Sequence, residues 1–164
     1  MRELLPLLDG WEWDILFVDT PVMVTRGERK ELYRKTVRGW VYGAIIVCDS
    51  SELVGRITVD KVRAFEDSAK LLDIAGLTYG GVCQFFQLTR YSPTDKVYTV
   101  MYSPPEPFPC KGELLFEVSL PAGATVNYSV IAAHGAVIAS VTDYNAFVDS
   151  LRRVLGTARR VLEE

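Results

Sequence analysis

From Glu113 to Leu120 the chain reads Glu-Leu-Leu-Phe-Glu-Val-Ser-Leu, which puts Leu114, Phe116, Val118 and Leu120 on one face. Glu113, Leu115, Glu117 and Ser119 take the other face. A repeat of two is the spacing of a half-buried strand, because successive side chains of extended backbone point to opposite sides. Pro-Ala-Gly at 121–123 ends the run as a turn. "KVYTVMY" (96–102) and "VCQFFQLTR" (82–90) are rich in β-branched and aromatic residues and read as further strands. "GWVYGAIIVC" and "LVGRITVD" flank Asp-Ser-Ser-Glu at 49–52, which reads as a four-residue hairpin loop. "WDILFVDTPVMVT" (13–25) is two short strands or one strand interrupted at Pro21. About eight or nine strands at short intervals predict an antiparallel sandwich or barrel.

Two stretches switch to helical spacing. Residues 60–75 place Val62, Phe65, Ala69 and Leu72 on one side, with Asp60 as N-cap and Gly76 as stop. Residues 143–162 place Phe147, Leu151, Val154, Ala158 and Val161 in one stripe, continued by Val148, Leu155 and Leu162. Asp143 is the expected cap of this second helix, which would run ~30 Å. "SPPEPFP" (103–109) predicts a stiff extended crossing between two sheets.

"VNYSVIAAHGAVIASV" (126–141) holds the single histidine of the chain. It is nearly symmetrical about His134-Gly135, which predicts a self-pairing hairpin with those two residues as an exposed turn. Unbroken apolar runs on both sides predict that both faces of that hairpin are covered. A membrane helix needs ~20 predominantly apolar residues, and this run is shorter and more polar.

Composition narrows the class. With 164 residues, 49% apolar and 24% charged, one soluble-type domain can form a core without disulfides or metal. The net charge of −3 supplies no general pull toward nucleic acid or anionic lipid. Cys48, Cys83 and Cys110 are dispersed and odd in number, which reads as buried thiols. The opening "MRELLPLLDG" has too short an apolar run for a signal peptide, so a cytoplasmic or virion location is expected.

The chemistry-bearing residues point to no reaction. His134 alone cannot supply a zinc pair, and no Gly-x-Ser-x-Gly elbow presents a nucleophile. Neither a cofactor nor a metal site is expected. "RGERKELYRKTVR" (26–38) carries six basic residues and two glutamates, a local excess of four positive charges. Phosphate contact, with Tyr33 stacking on a base, is one reading. A solvated hairpin or a charged subunit interface is preferred, given the acidic remainder. "AGLTYGG" (75–81) lacks the residues of a phosphate loop. Asp9, Glu12, Asp14 and Asp19 match no calcium loop and read as solvent-facing strand positions. Trp11 and Trp13 would share one face of a strand and, with Trp40, form either a core cluster or a platform for a sugar ring.

"VRGWVYGAIIVCDSSELVGRITVD" (37–60) and "PFPCKGELLFEVSLPAGATVNYSVIAA" (107–133) together resemble jelly-roll virion proteins of tailed phages and archaeal viruses. The likeness lies in a glycine-marked outer strand, a strand ending Val-Asp, and a proline-rich lead-in to a long alternating strand. It covers about a third of the chain and implies a structural role in a particle or tail. The expectation is therefore a mainly β protein: a jelly-roll-like antiparallel β-sandwich over 1–142, one short connecting helix, and an amphipathic helix over 143–164. That helix packs on its own sandwich or on a neighbouring subunit through Phe147, Leu151, Val154, Ala158 and Val161. The expected function is non-enzymatic assembly into a homo-oligomer or with other structural subunits, without membrane or nucleic acid. The alternatives are a carbohydrate-binding module using Trp11, Trp13 and Trp40, and a small enzyme using His134 with an acidic partner.

Overall fold

The computed structural model describes residues 9–74, 86–92, 94, 96–102 and 106–163, with the side chains of 63–65, 72–74, 86–92 and 157–163 outside the description. Two antiparallel sheets face each other. Their strands are β1 (Trp11–Val18), β2 (Val22–Thr25), β3 (Arg29–Thr36), β4 (Gly39–Cys48), β5 (Val54–Val59), β6 (Val62–Ser68), β7 (Phe86–Ser92), β8 (Val97–Tyr102), β9 (Phe108–Cys110), β10 (Glu113–Ser119) and β11 (Tyr128–Val141). The larger sheet runs β1-β11-β4-β8-β7, with β2 also on β11 and β9 also on β4; the smaller runs β3-β10-β5-β6.

Two of these breaks lie within a single strand position. Strands β1 and β2 both pair with β11, at 134–141 and 128–131, so they form one long strand interrupted around Pro21. Proline lacks the N–H a ladder needs, which explains the break. Strands β8 and β9 both pair with β4, at 44–48 and 39–41, so they too lie in line. The proline-rich stretch thus interrupts a strand within one sheet, contrary to the expected crossing between sheets; residues 103–105 lie outside the description. The chain changes sheet at Lys111-Gly112, where Val37 N–H donates to the Gly112 carbonyl at 2.8 Å.

Counting each interrupted strand once and setting β7 aside leaves eight strands. Their sequence order is first-eighth-third-sixth in one sheet and second-seventh-fourth-fifth in the other. That is the order of a jelly roll, an antiparallel ribbon folded over itself into two Greek keys. The mainly β sandwich expected from the sequence is present.

Phe116, Leu114, Val118 and Leu120 of the β10 stretch are all buried between the sheets, as their alternation requires. They meet Val41, Ala44, Ile46, Cys48, Tyr98, Val100 and Tyr102 from the larger sheet in one core. Strand β4 does not pair with β5, so Asp49–Glu52 is a crossing between sheets and not the expected hairpin loop. Its carboxylates fasten it: Asp49 accepts from Ser129 Oγ and Val130 N–H, and Glu52 from Thr125 and Lys70.

The first expected helix is mostly strand. Residues 62–68 form β6 against β5, and only α1 (Ala69–Ile74) is helical. Pairing with β5 overrides the local helical spacing, as tertiary context commonly does. Asp60 sits in the β5–β6 turn with Lys61, both at positive φ (50° and 67°), and Ser68 Oγ caps α1 by accepting from Leu71 N–H. The second helix, α2 (Tyr144–Glu163), forms as expected, and Asp143 caps it through Ala146 N–H at 3.0 Å.

Strand β11 is the largest departure. His134 and Gly135 lie mid-strand: His134 pairs with Val18 on one side and Ile46 on the other. The symmetrical run does not fold on itself. Both of its halves gain more by pairing with strands on either flank, since a central strand satisfies two edges.

Candidate functional site

Strand β1 carries apolar side chains on both of its faces. It is an edge strand, and Asp14, Leu16 and Val18 lie opposite Ile138, Ala136 and His134 on the inward side. Trp13, Ile15 and Phe17 point outward and are 45%, 69% and 65% exposed. The acidic residues read as solvent-facing are thus split, with Asp14 turned in and the apolar row turned out. Asp14 accepts a hydrogen bond from Tyr33 Oη at 3.1 Å and an ion pair from Lys35, both on β3 of the other sheet. Lys35 and Tyr33 hold the Asp14 carboxyl below the usual carboxylate range against a smaller opposing effect of burial. The Tyr33 hydroxyl is pushed up by burial and by Asp14.

The outward row borders an apolar trough of about 520 Å³ on the larger sheet. Tyr42, Ile45, Met101 and Val137 are also among its lining residues, as are Gly43 and Gly135. A Cβ on Gly135 would stand 2.6 Å from the Leu16 carbonyl oxygen and 3.4 Å from the Phe17 ring, so only glycine keeps both the ladder and the hollow. An apolar patch of this kind on a surface marks a contact site.

The three indoles cluster near one end of this face, but not as a platform. Trp11 and Trp13 meet edge to face at 82°, Trp13 meets Tyr42 at 63°, and Trp40 packs on Phe147 of α2. Sugar stacking across two rings needs coplanar faces, which this pair lacks. The first turns of α2 are anchored here: Ser150 Oγ accepts from Asp9 N–H, and Arg153 pairs with Asp9 at 2.7 Å. Phe147, Leu151 and Val154 are half-buried, whereas Leu155 is 58% exposed; the side chains of Ala158 and Val161 lie outside the described residues.

His134 points into the core at 3% exposure, and its Nδ1 has no hydrogen-bond partner among the described residues. Burial lowers its pKa. The expected exposed turn histidine is therefore a buried one, opposite Val18 and Ile46 and out of reach of a substrate.

The basic run 26–38 is largely neutralised in place. Arg34 pairs with Glu31 and Glu113, Lys30 with Glu28, and Arg26 binds Asn127 and the 125 and 126 carbonyls. Among the described residues no three acidic, histidine or cysteine side chains gather as a metal site. Cys48 and Cys110 are buried free thiols, with Cys48 pushed up to about 12 by burial; Cys83 and the glycine-rich 75–81 lie outside the described residues. No described helix is long and apolar enough to cross a membrane.

The sequence reading missed Ile15 and Phe17. The alternation of β1 was legible, but alternation states that two faces exist and not which one turns inward.

No family model matches this chain, and no curated protein matches it. A solved structure, dimeric latent PorU from Porphyromonas gingivalis, matches over 82% of the chain at 8% identity and a TM-score of 0.42. The chain spans 13% of the length of that protein.

Proposed function

We propose that this protein is a non-enzymatic assembly component that forms a homo-oligomer through the outward face of its larger sheet. One observation carries the reading: the apolar outward face of edge strand β1, with Trp13, Ile15 and Phe17 exposed beside an apolar trough while Asp14 turns inward. Leaving such a row in water forgoes ~25 cal/mol for each Å² of apolar surface that a contact would cover. A charge pointing into the sandwich at an edge strand also discourages edge-to-edge pairing, which directs association to the face. A place in a virion, as capsid or tail subunit, is consistent with the jelly-roll order, although that fold also serves lectins and cupins.

The test is the mass in solution across a wide concentration range. The 18.4 kDa chain should give a multiple of its own mass, and Ile15→Glu with Phe17→Glu should return it to a monomer that still unfolds cooperatively, at a melting temperature that no longer depends on protein concentration. A monodisperse wild-type monomer at every concentration overturns the proposal.

A further inference from the structure

A second hollow, of about 390 Å³, lies apart from the trough at the open edge of the sandwich, between the ends of β1 and β11 and the end of β3. Its character is the opposite of the trough's. Asp14 and Lys35, on its inner side, are already paired with each other. Glu12 and Arg38 also line it, and neither side chain has an ion-pair or hydrogen-bond partner among the described residues. Thr36, Ser140 and Thr142 add three hydroxyls. Ser140 Oγ is buried with no hydrogen-bond partner among the described residues, so it has no bond to lose in turning toward a ligand. A buried polar atom left unmatched in a polar hollow requires an explanation, and a bound polar molecule supplies one.

The charges decide the ligand class. Glu12 and Asp14 balance Lys35 and Arg38, so neither an anion nor a cation gains from the site as a whole. What remains is a dense set of donors and acceptors: a carboxylate that takes two hydroxyl donors, a guanidinium that gives to two oxygens, and hydroxyls that do either. Adjacent hydroxyls of a neutral sugar match that set, and the volume is at the small end of ligand sites. Trp13 lines the same hollow, which places an indole where a bound ring would alter its emission.

We infer that this edge cleft binds a neutral saccharide of one or two rings through Glu12 and Arg38. The inference is independent of the assembly reading, since the two sites have different linings apart from Trp13.

The experiment is saturation-transfer NMR and indole fluorescence on the whole chain with D-glucose, D-galactose, D-mannose and L-fucose, beside glycine, phosphate and Ca²⁺. At least one sugar should bind, and Glu12→Gln and Arg38→Ala should each weaken it by about tenfold or more, the usual effect of losing a hydrogen bond to a charged group. Thr36→Trp, which fills the cleft from its exposed rim and removes no bond of the folded chain, should abolish binding, and it carries the test where either of those variants is poorly folded. The monomeric Ile15→Glu/Phe17→Glu chain should bind as the wild type does. No transfer to any sugar at tens of millimolar, binding that survives all three cleft variants, or binding of glycine, phosphate or Ca²⁺ in place of sugar each overturns the inference.

Discussion

Asp14 on β1 and Lys35 on β3 form an ion pair across the open edge of the sandwich, joining one sheet to the other. Both side chains are partly exposed, at 32% and 41%, so the pair contributes only ~0.5–1 kcal/mol. The Asp14 carboxyl is held down in the folded chain by Lys35, so the unfolded chain binds that proton first as pH falls. The contribution is therefore full above the unfolded carboxylate value of ~3.9 and is lost as pH drops below it. Urea unfolding of Asp14→Asn should show the deficit at pH 7 and a progressively smaller one as pH falls below ~3.9; a deficit independent of pH would exclude the ion pair as its source.

His134 acts in the same direction as Asp14, but at a higher pH. Its folded pKa is lowered by burial, so the unfolded chain takes up the proton first, below ~6.5. Stability should be full above that value and fall as pH decreases, with a slope of at most ~1.4 kcal/mol per unit for one proton. It is the only histidine, and the residues opposite it, Val18 and Ile46, are apolar. The Asp67 carboxyl is raised by burial and contributes with opposite sign, but equally in wild type and variant. His134→Leu should flatten the profile between pH 6.5 and 5, measured by denaturant midpoints; an unchanged slope would place its origin elsewhere.

Gly135 is expected to tolerate no side chain. In Gly135→Val the new carbons meet the Leu16 carbonyl and the Phe17 ring, and strain of this kind costs ~1–3 kcal/mol. Thermal unfolding reads the loss, and solution mass reads whether filling the trough also blocks association. A variant as stable as wild type would show that β1 can move away from β11.

Phe116 is the largest side chain of the β10 stretch and is fully buried between the sheets. Phe116→Ala should cost ~3–5 kcal/mol. Val62→Ala, on an exposed side chain of edge strand β6, serves as the control and should change the midpoint little. Equal effects of the two would contradict this placement of the core.

The parts of the fold readable beforehand were those that depend on a single segment. The β10 alternation named its inward residues correctly, and the Asp143 cap and the α2 boundary followed from local chemistry. What was misread depends on partners. The run around His134 looked self-complementary because its two halves are alike, but symmetry in one segment is silent about the strands that flank it. The β4 and β5 strands were found, yet neighbours in sequence proved to lie in different sheets. For the candidate site the acidic and indole positions were noted, while their sidedness came only with Tyr33 and Lys35 in place. Glu12 and Arg38 stand far apart in the chain, and no local pattern joins them.

Because the first strand position pairs with the last, from Trp11 against Val141 onward, the larger sheet cannot close until nearly the whole chain exists. During synthesis β1, β2 and β4 emerge with their hydrogen-bonding edges open, and the strand that satisfies all three arrives last. Topologies dominated by such distant pairings fold slowly, in milliseconds to seconds. Through that interval the row Trp13, Ile15, Phe17 is displayed on a strand with no partner at all, which makes the nascent chain most prone to aggregation just before β11 docks.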